Sequence, residues 1–229
     1  MSRNGRRIVV VFDEFQEIRK FEKYGLESLI RSKIQLQHNA NYLFLGSKTH
    51  LMQDMFLSKN RPFYNSALTM QLSTLPEIET CIFLENRFAA SGIVINRNLC
   101  MHLIHKADNV PYYIQLLAAE IWQYMVPEMS EVTEDIIECV NRIIALKHDY
   151  YFELFDRFSP AQKRLLVAIA RSGENIFSSK YIARNHLVGA SSIQKSLAAL
   201  VEAGVVEKTD ASFVVGDPFF RQFILQETK

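Results

Sequence analysis

Two adjacent acids, Asp13 and Glu14, close a short apolar run, Ile8-Val9-Val10-Val11-Phe12. Carboxylates set against apolar chain are costly to bury, so they are used or exposed. At the C-terminal end of a parallel strand they sit where α/β sheets bind ligands. There, one acid can hold a hard divalent cation and the other can orient or deprotonate a water. The alternative is a strand that runs into a solvated acidic loop. Three more residues stand at punctuation points: Ser47 after the run Tyr42-Leu43-Phe44-Leu45-Gly46, Arg61 before Pro62, and Pro111 in Asn109-Val110-Pro111.

Other chemistry finds less support. The three cysteines, Cys81, Cys100 and Cys139, are far apart, odd in number and without ligand spacing. Neither a disulfide frame nor a zinc site is expected. Of the six histidines, His102 and His105 are close enough to share a helix face, but no third ligand is near them in sequence. The formal net charge of +1 gives no strong global field for nucleic acid or acidic lipid. With 48% hydrophobic and 22% charged residues, the 229-residue chain reads as globular, with two or three compact units. No apolar run reaches the roughly 20 residues that span a bilayer. No secretory signal is seen, and a cytoplasmic protein with reduced cysteines is expected.

The elements that must position these residues follow from periodicity. The β-branched run 8–12 predicts a strand buried on both faces, as in a parallel sheet. Residues 42–45 predict a second strand, and Met70-Gln71-Leu72 a third. Helices are expected over 21–38, 48–57, 77–90, 96–107 and 111–125, with 59–67 a loop and Gly92 a helix stop. A long amphipathic helix is expected from an N-cap at Thr133 to about Phe158, on Ile136, Val140, Ile143 and Ile144. Ser159-Pro160 then predicts a capped helix start. Short helices at 178–186 and 191–203 precede two strands, 205–208 and 212–215, and a last helix opens at Asp217-Pro218. Three helices and a hairpin is the order of a winged helix.

The segment Val9-Val10-Val11-Phe12-Asp13-Glu14-Phe15-Gln16-Glu17 resembles the Walker B region of archaeal-type AAA+ ATPases, near the STAND class. Tyr42-Leu43-Phe44-Leu45-Gly46-Ser47, Leu51-Met52, Met55-Phe56, Arg61-Pro62-Phe63-Tyr64, Pro111 to Leu117 and Asp217-Pro218-Phe219-Phe220 resemble later segments of that family, in its order. The resemblance implies Asp13 as the Mg²⁺ acid, Glu14 as the catalytic carboxylate and Ser47 at the sensor-1 position beside the γ-phosphate. It implies Arg61 as an arginine that reaches a neighbouring subunit's nucleotide in a homo-oligomer, and Pro111 as part of the adenine contact. The residues alone leave alternatives: Ser47 as a helix N-cap, and Arg61 as an exposed arginine before a turn. At Asn109 the family pattern has glycine.

Gly46-Ser47-Lys48-Thr49 imitates a phosphate-binding loop but lacks the earlier glycine and the G-K adjacency of G-x-x-x-x-G-K-[ST]. No such loop occurs in the sequence. The family's sheet order, 5-1-4-3-2, implies that this chain supplies strands 3, 4 and 5 without the central strand. The expectation is a truncated gene, a trimmed chain, or a chain completed by a partner that carries the loop.

The expected fold is thus a partial α/β P-loop NTPase core over 1–92, an all-α lid over 93–157 and a winged helix over 158–229. The expected function is ATP binding and hydrolysis with Mg²⁺, used as a conformational switch, with this chain inactive alone. The alternative is a winged-helix DNA-binding or protein-interaction module of a pseudo-ATPase. Ser191, Ser192, Gln194, Lys195 and Ser196, with Lys180, Arg184, Asn185 and His186 of the preceding helix, would face DNA in that reading, although a relay role for the winged helix is favoured.

Overall fold

The computed structural model describes residues 8–125, 136–209 and 212–228. The chain separates into two compact units, Met1–Ser73 and Thr74–Lys229. No helix among the described residues is long and apolar enough to cross a membrane.

The first unit opens on strand β1 (Ile8–Phe12), which runs parallel to β2 (Ala40–Phe44) with Ile8 opposite Ala40 and Phe12 opposite Phe44. The ladder continues one step past both strands, through Leu45 N–H to Phe12 O at 2.8 Å and Phe15 N–H to Leu45 O at 2.8 Å. A 3₁₀ segment (Phe15–Tyr24), kinked at Phe21, leads through left-handed Gly25 into helix α1 (Leu26–Gln35). Helix α2 (Thr49–Leu57) follows β2. The expected single helix over 21–38 is therefore a tighter turn plus a shorter α-helix.

Phe15, Met55, Phe56 and Phe63 form the buried centre of this unit, with Phe12, Phe44, Ile30 and Ile34 packed around it. Aromatic rings account for most of that core. Phe15 meets Phe44 at 4.5 Å between centroids and Phe63 edge-on at 5.2 Å. Among the described residues, only one sheet face is covered. Val9, Val11 and Leu43 stay exposed, Val9 at 63%. The expectation of a strand buried on both faces is corrected here, because strand residues alternate sides and the packed aromatics lie on one side only.

The expected third strand at Met70-Gln71-Leu72 does not form. Residues 67–76 have no regular structure, and Leu68, Met70 and Leu72 are exposed. A strand is held by a neighbour's ladder hydrogen bonds, and no strand among the described residues pairs with this segment.

In the second unit α3 (Glu77–Ala89) packs on α4 (Arg97–Lys106), and α5 (Pro111–Met125) on α6 (Ile136–Leu146). The sequence reading sets its first boundary at residue 92, whereas residues 74–92 group by contact with the helices that follow. The expected N-cap at Thr133 lies outside the described residues. The long helix expected to reach Phe158 is broken at Lys147 (φ −103°, ψ 8°) into α6 and α7 (His148–Asp156). The break turns Tyr151 inward. Its ring packs on Phe220 and Phe223, and its hydroxyl donates to Asp217 Oδ2 at 3.0 Å.

The last third comprises α8 (Pro160–Arg171), α9 (Ser179–Arg184), α10 (Ala190–Glu202), the antiparallel pair β3 (Val206–Lys208) and β4 (Phe213–Val215), and α11 (Pro218–Glu227). Ser159 and Gln162 form a full capping box at the start of α8, with Pro160 in the first turn. Replacing Ser159 by alanine is expected to cost about 1 kcal/mol, read from the denaturant midpoint of this unit. Asp217 caps α11 by accepting from Phe219 N–H at 2.8 Å and Phe220 N–H at 3.0 Å. Gly173 adds a third edge to the hairpin: Phe213 N–H donates to its carbonyl at 3.1 Å, so close that a Cβ at 173 would overlap the Phe213 backbone.

Candidate functional site

Glu14 is the residue around which the site is built. It follows β1 in the left-handed region (φ 47°, ψ 43°), which costs a non-glycine residue roughly 1 kcal/mol and must be held by its surroundings. The contacts that hold it are polar. Ser47 Oγ donates to Glu14 Oε2 at 2.8 Å, and the Ser47 N–H points at the same oxygen at 3.5 Å. The Gln16 amide donates to that oxygen too. Asp13 Oδ1 accepts the Glu14 N–H at 2.9 Å.

The parallel pairing explains the meeting. Asp13-Glu14 and Gly46-Ser47 leave neighbouring strands at the same end, one step past the register pair Phe12–Phe44. Ser47 does not cap α2. Lys48 holds the N-cap position without a side-chain bond to the helix backbone, while the Ser47 hydroxyl turns to Glu14. The alternative of a capping serine is thereby set aside on geometry.

Gln16 is the residue that sequence reasoning passed over. It is buried, its amide holds Glu14, and its Oε1 is buried with no hydrogen-bond partner among the described residues. Gly46 makes room for it, since a Cβ at 46 would overlap the Gln16 and Met52 side chains. The available signal was a polar residue two places beyond the acid pair and next to the aromatic Phe15.

Donation by Gln16 and then by Ser47 holds the Glu14 carboxyl below the usual carboxylate range. The charged form is the one these donors favour, so Glu14 is an ionised acceptor at neutral pH. Beside it Lys48 Nζ lies 3.3 Å from Glu17, which also pairs with Lys20. Both lysines hold the Glu17 carboxyl down, Lys20 first.

Arg61 is not brought to this group. Its guanidinium is 14% exposed and engaged on several sides. Nη2 and Nε contact Asp54 Oδ2 at 2.9 and 3.1 Å, and Nη1 meets Glu22 at 2.7 Å and Glu27 at 3.5 Å. Arg61 thus ties together the 3₁₀ segment, α1 and α2, where the resemblance implied an outward reach. Glu27 is buried, and desolvation raises its carboxyl even against the pull of Arg61. Arg61→Ala is expected to destabilise the first unit by about 2 kcal/mol. Asp54 and Glu22 can hydrate, so most of the loss falls on Glu27. A raised folded-state acid contributes stability that is full below the unfolded value of 4.5 and is lost as pH rises through the folded value. Removing Arg61 raises Glu27 further. The deficit in denaturant unfolding should shrink toward acid pH, and Arg61→Ala with Glu27→Gln should recover part of it.

Pro111 lies in the second unit, exposed, at the first turn of α5. Before it, Asp108 and Asn109 are both left-handed, φ 50° and 54°. Asn109 stands where the family pattern has glycine and adopts a conformation glycine takes freely. The turn is held from two sides. Asn109 Nδ2 donates to Leu75 O at 2.7 Å, and Arg221 of α11 pairs with Asp108 at 2.8 Å.

Comparison with known proteins gives the fold its context. A family model described as a probable winged helix domain matches residues 149–226, which begin in α7. Among curated proteins none matches the chain. Of solved structures, a Walker-type ATPase of Pyrococcus abyssi superposes with TM-score 0.67 at 17% identity, over 96% of this chain and 63% of that one. A RuvB mutant of Thermotoga maritima superposes with TM-score 0.50 at 15% identity, over 95% of this chain and 70% of that one. This chain therefore spans less than two thirds of the length of the Pyrococcus ATPase. It has the fold of an AAA+ P-loop ATPase, mostly helical, with a winged-helix domain at residues 149–226.

Proposed function

We propose that Asp13, Glu14 and Ser47 are one half of an ATP-hydrolysing centre. The other half, a phosphate-binding loop, would come from residues outside this chain, in an extended polypeptide or in a partner. The observation that carries this reading is the Glu14 carboxylate, held by Ser47 and Gln16 at the shared end of two parallel strands.

The donor set suits the ligand. Mg²⁺ prefers oxygen donors and binds through one or two carboxylates together with substrate phosphates. Asp13 is the exposed carboxylate that would hold it. When bound, the ion would neutralise charge on the β- and γ-phosphates. The residues of this chain do the rest. Glu14, ionised and fixed in direction, accepts a hydrogen bond from the attacking water and aligns it. As an acceptor it can orient that water or take its proton. Ser47, already on Glu14, would reach the same water or the γ-phosphate. The turn at Asp108–Pro111 would stand near the adenine, as the family resemblance implies.

Hydrolysis would act as a switch. Nucleotide favours whichever arrangement of the units offers it more contacts, and its loss releases that bias. In a homo-oligomer Arg61 would have to leave its three acids to reach a neighbour, so a structural role for it is the better reading.

The test compares ATP binding and hydrolysis by this chain and by one extended to include a G-x-x-x-x-G-K-[ST] segment. The expected result is binding and turnover only in the extended form, with Mg²⁺-dependent binding weakened by Asp13→Asn. Turnover by the isolated chain, or unchanged Mg²⁺ dependence in Asp13→Asn, would count against the assignment.

A second reading rests on the winged helix. α10 exposes Ser191, Gln194 and Lys195, and α9 exposes Lys180 and Arg184, groups suited to phosphate contacts, whereas Ser196, expected beside them, is buried on the inner face of α10. Exposed Glu202 and Glu207 oppose it, and a role in relaying the ATPase state is favoured. No affinity for duplex DNA at low salt would remove the DNA reading.

A further inference from the structure

We propose that Cys81, Cys100 and Glu85 form a binding site for a borderline-soft divalent cation of the zinc class. The site is independent of the ATPase reading. One donor atom from each residue lies within 4.8 Å of the other two. Cys81 and Glu85 are one turn apart on α3 and so share a face, and Cys100 comes from α4, the helix packed against it. The tertiary seam, not a ligand motif, assembles them.

The geometry is near what such an ion needs. Zinc bonds of about 2.3 Å to sulfur place two thiolates about 3.8 Å apart in a tetrahedral site. The donors therefore close by no more than about 1 Å, within the reach of side-chain rotation. Cys81 Sγ already lies 3.9 Å from Glu85 Oε1. Both sulfurs are buried, whereas Glu85 is only partly so, which leaves an entry path and a fourth position for water on its side.

Charge is compatible with a dication at these groups. Arg97 holds the Glu85 carboxylate with two bonds, at 3.1 and 2.9 Å. It orients the ligand as outer-shell partners of metal sites do. On binding, each thiol releases its proton to solvent. One dication, two thiolates, one carboxylate and the Arg97 guanidinium then sum to zero charge in a largely buried seam. With the thiols protonated and no ion bound the sum is also zero, because Glu85 then balances Arg97 alone, so charge permits the dication and geometry selects it.

The test uses the whole chain, reduced and stripped with a chelator, titrated with Cd²⁺ and followed by the sulfur-to-cadmium charge-transfer band. The expected result is one equivalent bound, with the band lost in Cys81→Ala and in Cys100→Ala and kept in Cys139→Ala. Arg97→Gln should weaken binding roughly tenfold, and Glu85→Gln by more. X-ray absorption of the zinc-loaded native chain reads the ligand set without any substitution, so a variant that fails to fold leaves the test intact. Two sulfur neighbours with light-atom donors support the site. No band at stoichiometric Cd²⁺, a band that depends on Cys139, or zinc with no sulfur neighbours would overturn it.

Discussion

Glu14→Gln, in a form of the protein that carries the phosphate loop, is expected to lower ATP turnover by roughly 10²- to 10⁴-fold while leaving ATP affinity nearly unchanged. The amide keeps the size of the carboxylate but loses its charge. One of its two ends becomes a donor, facing Ser47 and Gln16, which are themselves donors at Oε2. The water would lose both its acceptor and its alignment. Steady-state hydrolysis alongside equilibrium binding separates the two effects. Equal turnover in Glu14→Gln and the native protein would sink the assignment. Ser47→Ala should be milder, roughly tenfold, because Gln16 still restrains the carboxylate. Removing a donor to the charged form raises an acid's pKa. The acid limb of the Ser47→Ala profile should therefore move to higher pH, toward the ordinary value of 4.5.

Phe15→Ala is expected to cost the first unit about 4 kcal/mol. Phe15 is fully buried and makes ring contacts with Phe12, Phe44, Phe56 and Phe63. Among the described residues, only Met55, Phe56 and Phe63 share the centre of this core with it. A whole domain is stable by about 5 to 15 kcal/mol, and a unit with four central residues belongs at the low end. The substitution should therefore come close to unfolding β1, β2 and their helices, while α8 to α11 remain intact. Amide hydrogen exchange resolves this: protection falls across residues 8–66 and holds in the winged helix. Val9→Ser on the bare sheet face is the control and should cost little, since Val9 is already exposed. A loss below about 1 kcal/mol for Phe15→Ala would show that the ring cluster does not carry the unit.

The two predictions meet at one place. Phe15 directly follows Glu14 and sits beneath the site, so the strain at Glu14 and the placement of Gln16 depend on the aromatic core. Thermal or denaturant loss of that core and loss of the acid geometry should run together.

Much of this was legible in the residues themselves. The run Ile8–Phe12 is β-branched enough to favour a strand once a neighbour pairs with it, and Ser159-Pro160 and Asp217-Pro218 mark helix starts by local hydrogen bonds. Such capping signals need only neighbours in sequence. The acid pair, too, was recognisable from its place at the end of an apolar run. Other features depended on partners distant in the chain. Met70–Leu72 alternates like a strand yet stays irregular, because a strand exists only with a neighbour. The break at Lys147 is not signalled locally and follows the pull of Tyr151 toward Asp217 and Phe220. Arg61 reads as a free arginine until Asp54, Glu22 and Glu27 surround it. Ser47 is as good a cap as it is a partner for Glu14, and Cys81 and Cys100 carry no spacing that foretells their meeting. The sequence alone determined the apolar run of the first strand, the capped helix starts at Ser159 and Asp217 and where its paired acids fall, since those follow from covalent neighbours. Tertiary structure decided what each polar group touches, because strand register and helix packing bring together side chains that the chain itself keeps far apart.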